Sequence, residues 1–169
     1  MQQSEAHGPL KFVVMPMQPE DYPSVARIFT QGIETGNATY DVAAANWQDW
    51  DMKHVLHSRW VVKSLNEDVI LGWAALSPVS SRAVFSGVAE LSIYVDTDFL
   101  GMGLGKILME KVIDSSEDHG VWMLQSGIFP ENMASISLHE KFGFRLVGRR
   151  EKIGKMANGY RSEEHTSEL

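Results

Sequence analysis

Hydrophobic positions along this chain recur with two different periods, and each change of period marks an element. Phe12-Val13-Val14-Met15, closed by Pro16, reads as a first strand. Pro19-Glu20-Asp21-Tyr22 opens a helix, with acidic residues in the turn where the helix dipole favours them. Val25, Ile28, Phe29 and Ile33 form its buried stripe, and Gly36-Asn37 breaks it. Residues 43–57 are expected to form a second helix anchored by Trp47, Trp50 and Val55. Residues 59–65 and 69–76 read as a hairpin across Asn66-Glu67-Asp68, followed by a Ser- and Pro-bearing loop over 77–87. From residue 89 the period is two: Ala89, Leu91, Ile93 and Val95 share one face, and Glu90, Ser92 and Tyr94 the other. Helical spacing returns with Leu104, Ile107, Leu108 and Val112, and Gly120 sits where that helix should be capped. Residues 121–129 form the next strand, Asn132 caps a helix that Gly143 ends, and residues 144–153 start a last strand. This order predicts an α/β (α+β) fold: a central, mostly antiparallel, mixed twisted sheet flanked by about four helices.

Between the strand at 89–95 and the next helix lie the acidic turn Asp96-Thr97-Asp98 and three glycines, Gly101, Gly103 and Gly105. Glycine lets a backbone turn with its amides inward, and the first amides of a helix are unsatisfied, so the stretch suits an anion such as a pyrophosphate. An ordinary tight turn would use glycines too. The spacing is neither of two familiar phosphate motifs. A Walker loop needs Gly-Lys-Ser/Thr and here Ile107 follows Lys106, while a Rossmann loop needs G-x-G-x-x-G.

The acidic turn and glycine loop after a Glu-bearing strand resemble the acetyl-coenzyme A loop of the GNAT N-acetyltransferases, and within them the phosphinothricin and methionine sulfone (or sulfoximine) acetyltransferases. Further stretches carry the resemblance: Ile33-Glu34-Thr35-Gly36-Asn37-Ala38-Thr39-Tyr40, Pro78 to Arg82 with Phe85, Glu90 to Val95, and Asn132-x-x-Ser135-x-x-Leu138-His139-Glu140-Lys141-Phe142-Gly143-Phe144. It covers roughly residues 12–160. The resemblance implies the GNAT fold, in which the central strand and the strand starting at Val121 splay apart and pantetheine lies in the opening. It places acetyl-coenzyme A, as co-substrate, along Leu91, Ile93 and Val95 and against Leu100, Gly101, Met102, Gly103, Leu104, Gly105 and Lys106, with Asn132; Ser135, one helical turn on, is within reach of it. The backbone amide of Ile93 would face the thioester oxygen. One departure is Leu100, where the family carries Gln or Arg; weaker binding is expected, since backbone amides do most of the work.

Amide formation needs a deprotonated amine, donors for the developing oxyanion, and a proton for the leaving thiolate. Glu90 is the candidate base: a carboxylate in an otherwise apolar strand, whose burial would raise its pKa. A structural Glu paired with Arg or at the sheet rim is the alternative. His139 stands where the subgroup carries a His and is the candidate acid; a surface or capping His is the alternative. Asn132 caps its helix and by resemblance also meets coenzyme A. Arg82 is the candidate grip for a substrate carboxylate, since guanidinium pairs with carboxylate at two points, with Thr39, Tyr40 and Phe85 walling the pocket. Otherwise Arg82 is a solvated loop residue and the aromatics are core. His7, His54, His57 and His119 form no metal set.

Composition narrows the field. One domain fits 169 residues. A net charge of −7 without a basic stripe argues against nucleic acid. The absence of cysteine excludes disulfides and thiol catalysis and fits the cytoplasm. No apolar run suits a membrane span. Direct transfer to a small amino-acid-like primary amine is expected, because there is no cysteine and no evident Ser-His pair. A GNAT acting on an aminoglycoside, polyamine or protein N-terminus, or a non-catalytic acyl-coenzyme A module, are the rivals. No metal is expected, and a homodimer is conceivable by resemblance. Residues 1–11 read as a flexible lead-in and 12–160 as the acetyltransferase domain. Residues 161–169 read like the in-frame translation of a sequencing-library adapter, a non-native tail. The final strand is therefore expected to be missing, leaving the strand from Phe144 with an uncovered edge and lowering stability.

Overall fold

The computed structural model describes residues 9–168, so most of the expected lead-in lies outside the described residues. Its elements are β1 (Phe12–Pro16), α1 (Tyr22–Thr35), α2 (Trp47–Lys53), β2 (Trp60–Ser64), β3 (Val69–Pro78), β4 (Val88–Val95), α3 (Leu104–Asp118), β5 (Met123–Ile128), α4 (Met133–Lys141), β6 (Arg145–Met156) and β7 (Gly159–Glu168). The seven strands form one sheet in the order β1-β2-β3-β4-β5-β7-β6. All neighbours are antiparallel except β4 and β5. A parallel pair needs a long crossover, and α3 supplies it.

The sheet is covered on both faces. Leu71 and Leu76 pack with Leu104, Leu108, Met109 and Val112 of α3. Ile70, Trp73 and Ala75 pack with Val25 and Ile28 of α1 and Trp50 of α2. β3 is thus buried on both sides, which explains why it reads as an unbroken apolar run rather than an alternation. Burying one such Leu fully contributes about 1.5–3 kcal/mol. Among the described residues no helix is long and apolar enough to cross a membrane.

Two expectations are corrected here. α2 covers seven residues rather than 43–57. The Asn46 side chain accepts the Asp49 amide at 2.9 Å and starts the helix late. At the other end His54 is extended, with Nδ1 2.7 Å from the Trp50 carbonyl. The larger correction concerns the final strand. It is present: residues 159–168 form β7, paired antiparallel with both β5 and β6. A ladder is made by backbone groups and does not require apolar side chains. The polar tail is also held by side chains. The Thr166 hydroxyl donates to the Ser126 carbonyl at 3.3 Å, and the Arg161 guanidinium lies 4.3 Å from the Phe129 ring centre. The edge of β5 is therefore covered, and β6 is the outer strand.

Candidate active site

β4 and β5 pair only at Val88↔Met123, Ala89↔Leu124 and Glu90↔Gln125, and beyond Glu90 they separate. Ser126 stands at the first step past the fork, and its hydroxyl lies 3.3 Å from the Leu91 carbonyl across the gap. Residues two apart on a strand aim their backbone groups the same way. Leu91, Ile93 and Val95 therefore present amides and carbonyls to the opening. The fork widens into a cleft of about 1600 Å³.

The glycine turn closes one side of that cleft. Its base is Asp96, which is buried and accepts from Arg27 at 2.6 Å, from the Asp98 amide at 3.0 Å and from Gln31 at 3.4 Å. Burial pushes the Asp96 carboxyl up, but the Arg27 hydrogen bond and the other donors outweigh it and hold the group below its usual value. Gly101 and Gly103 have φ of 76° and 79°, the left-handed region that glycine tolerates and other residues resist. Gly103 caps α3, and the amides of Leu104, Gly105 and Lys106 have no partner within the helix. Gly101, Gly103, Leu104, Gly105 and Lys106 line the cleft, whereas Met102 is exposed and outside the lining. Leu100 lines it but is 64% exposed. Asn132 caps α4 through the Ser135 amide at 3.3 Å, and both residues also line the cleft. The donor set fits a pyrophosphate on the turn and an extended amide chain along β4.

Glu90 and His139 both line the cleft. Glu90 is exposed rather than buried, because its face of β4 opens to the cleft instead of to a packed helix. His139 is the reverse, 2% exposed rather than on the surface. Its Nδ1 donates to the Ser135 carbonyl at 2.7 Å, and its Nε2 lies 3.1 Å from the Ser126 hydroxyl. Burial lowers its pKa, opposed in part by that backbone hydrogen bond. This Ser-His pair corrects the expectation that none is evident; the two residues belong to different elements that only the sheet brings together, so no local signal marks them.

The remaining predictions divide. Thr39 and Tyr40 line the cleft, and the Tyr40 ring meets Phe129 edge-on at 4.7 Å. Burial raises the Tyr40 phenol, with Glu163 acting in the same sense. Tyr94, sharing the Glu90 face, stacks on Trp73 at 5.1 Å, and burial raises its phenol strongly. Arg82 and Phe85 do not join the cleft lining: the guanidinium sits 5.3 Å from the Phe85 ring centre, and Phe85 lines a separate hollow with Val55, His57 and Val121. Residues that sequence reading missed are Ser126, Phe129, Glu131 and the acidic residues Asp41 and Asp49. A Ser in the middle of a strand and a Phe just past its end carry no recognisable signal alone.

The model of the acetyltransferase (GNAT) family matches residues 23–144. Among characterised relatives, the L-amino acid N-acyltransferase MnaT of Escherichia coli (strain K12) is 29% identical over 137 residues, 79% of this chain and 80% of that protein. An L-methionine sulfoximine/L-methionine sulfone acetyltransferase of Pseudomonas aeruginosa is 29% identical over 139 residues, covering 80% and 81%. Among solved structures, yncA of Salmonella typhimurium, with acetyl-coenzyme A, superposes with a TM-score of 0.85 at 21% identity, covering 94% of this chain and 93% of that one. With most of the chain matched by the family model and the fork, turn and helix cap in place, this chain belongs to the GNAT family of acetyl-coenzyme A-dependent N-acetyltransferases.

Proposed function

We propose that the protein transfers the acetyl group of acetyl-coenzyme A directly to the primary amine of a small amino-acid-like molecule, of the phosphinothricin or methionine sulfone and sulfoximine type. The observation that carries the reading is the fork itself: an open β4 edge beside a turn of free amides, with a carboxylate and an imidazole on the same cleft. The methionine sulfoximine/sulfone acetyltransferase named above, together with the sequence resemblance, supplies the substrate class.

The amides of the glycine turn and of the first turn of α3 hold the pyrophosphate, and Leu91 to Val95 hold the pantetheine arm. The Ile93 amide polarises the thioester carbonyl. Glu90 takes the first proton from the substrate ammonium, directly or through a water, and passes it to solvent. His139 is the source of the proton that the thiolate gains as it leaves. Thr39 and Tyr40 wall the amine. Arg82 takes a carboxylate role only if the loop carrying it moves to the cleft.

A second reading has its own support. The cleft lining carries five carboxylates, Asp41, Asp49, Glu90, Glu131 and Glu163, against three lysines, Lys53, Lys106 and Lys141, while Arg82 stands outside it. That charge suits an amine with a second positive group, such as a polyamine. Thiol release from acetyl-coenzyme A against a panel of amino-acid analogues and polyamines separates the two. Turnover confined to amino-acid analogues supports the first reading, turnover confined to polyamines replaces it with the second, and heat of acetyl-coenzyme A binding without turnover of any amine refutes both.

A further inference from the structure

The His139 ring has one nitrogen with a fixed role. At 2.7 Å from Nδ1 lies the Ser135 carbonyl, which only accepts, so Nδ1 carries a hydrogen. Only Nε2 is left to gain and lose a proton. An imidazole nitrogen has a single in-plane position for a hydrogen or a lone pair, and at Nε2 the Ser126 hydroxyl occupies it at 3.1 Å. The groups facing the ring are Ser135 from its own helix, Ser126 from β5 and the Phe144 ring, edge-on at 4.9 Å. None is charged, and no coulombic partner acts on the ring. His139 therefore meets no cleft atom at Nε2 except through Ser126.

The Ser126 hydroxyl also has a second acceptor, the Leu91 carbonyl at 3.3 Å. With His139 neutral, the hydroxyl donates to Nε2. With His139 protonated, Nε2–H donates to Ser126 and the hydroxyl hydrogen turns to Leu91 or to an atom in the cleft. This is a two-position rotor at the fork where the pantetheine arm enters.

We propose that Ser126 is a further catalytic residue: its hydroxyl carries protons between His139 and the reacting atoms, so that the two side chains act as one relay. The inference rests on the acetyl-transfer reading above. Two protons leave the substrate ammonium when it becomes an amide nitrogen. The first goes to Glu90 and then to solvent. As the C–N bond forms, the second passes from nitrogen to Ser126 Oγ while the Ser126 hydroxyl hydrogen moves to Nε2. As the C–S bond breaks, Nε2 returns its proton to Oγ and Ser126 gives its own to the thiolate. The products are the amide, the free thiol and one solvent proton, and both side chains regain their starting state.

The test combines variants with a spectrum that needs no turnover. Ser126→Ala should lower kcat by about 10² or more, the lower end of what a lost proton transfer costs, while leaving the calorimetric Kd for acetyl-coenzyme A within twofold. It should also remove from the kcat–pH profile the acid limb that His139 produces below its ordinary value of 6.5. The double variant Ser126→Ala/His139→Gln should be no slower than the slower single variant, because the two residues form one path. Multiplicative losses, or a Ser126→Ala profile that keeps the limb, overturn the relay. Nitrogen-15 spectra of the wild-type imidazole should show the Nδ1–H tautomer, and an Nε2–H tautomer overturns the relay by itself. A wild-type protein that binds acetyl-coenzyme A but acetylates no amine overturns the acetyl-transfer reading instead, and the tautomer still judges the pair.

Discussion

The Arg27 guanidinium lies 2.6 Å from the buried Asp96 carboxylate, and this pair joins the middle of α1 to the turn that opens the glycine loop. A second Arg27 nitrogen donates to the Ile70 carbonyl at 3.1 Å, so the same side chain also grips β3. The pair connects the core to the phosphate site: α1 packs on the sheet, and Asp96 fixes where the turn begins.

Arg27→Ala should therefore cost both stability and binding. It leaves a buried carboxylate with weaker partners, worth about 2 kcal/mol of folding free energy. Denaturant unfolding checks that figure, and calorimetry should show acetyl-coenzyme A binding weakened as the turn loosens. Arg27→Lys keeps the charge but not the two-point grip and should fall between.

Acid should destabilise the fold in two stages. His54 is buried against Trp50, and burial lowers its pKa from 6.5 to about 4. The unfolded chain takes up that proton below 6.5 and the native one only near 4, so stability falls as pH drops through that window. His57 and His139, also lowered by burial, act in the same sense. Asp96 is held below its ordinary value of 3.8, so its contribution is present above 3.8 and disappears at still lower pH. Melting temperatures from pH 7.5 to 3 should show the first fall, and His54→Gln should flatten it.

Gly103 has φ of 79° at the cap of α3, where any other residue is strained. Gly103→Ala should weaken acetyl-coenzyme A binding by about tenfold, the equivalent of the 1–2 kcal/mol that an L residue loses in this region. Gly105→Ala meets only the flexible end of Leu138, with a Cβ 3.1 Å from Cδ2, and should matter less. Titration calorimetry ranks the two, and the reverse order would contradict the turn's proposed role.

Glu90→Gln should reduce kcat by about 10² or more, the typical worth of a general base. Acetyl-coenzyme A binding should be unchanged, because the side chain faces the amine rather than the pyrophosphate. Raising the pH should recover part of the rate, since solvent then deprotonates the ammonium. A variant within twofold of wild type at neutral pH would reduce Glu90 to a residue of the sheet rim.

Much of this site was legible because its parts are contiguous in sequence. The alternation from Ala89 to Val95, the glycines after it and the Asn132 cap each declare a local geometry. Relationships across elements were not legible. Ser126 meets His139 only because α4 folds back over β5, and Arg27 meets Asp96 only because α1 crosses the sheet. Glu90 looked buried from its apolar neighbours, yet the fork leaves its face open. The tail misled for a different reason. A polar stretch offers no hydrophobic alternation, but main-chain pairing with two neighbours makes it a strand.

That tail supports the last prediction. β7 covers β5 on one side and carries β6 on the other, and Thr166 donates to the carbonyl of Ser126 itself. Arg161 reaches back to the Gly36 carbonyl at 2.5 Å and the Asn37 side chain at 2.9 Å, tying β7 to the loop that bears Thr39 and Tyr40. Ending the chain at residue 160 would strip these contacts and leave β5 as an uncovered edge, a template for pairing with other chains. The shortened protein should melt at a lower temperature and aggregate on light scattering. Thr166→Val, which keeps the strand and removes one buried hydrogen bond, should cost only about 1 kcal/mol. If the shortened protein melted with the full chain, β7 would be dispensable, and Ser126 would need no support from that side.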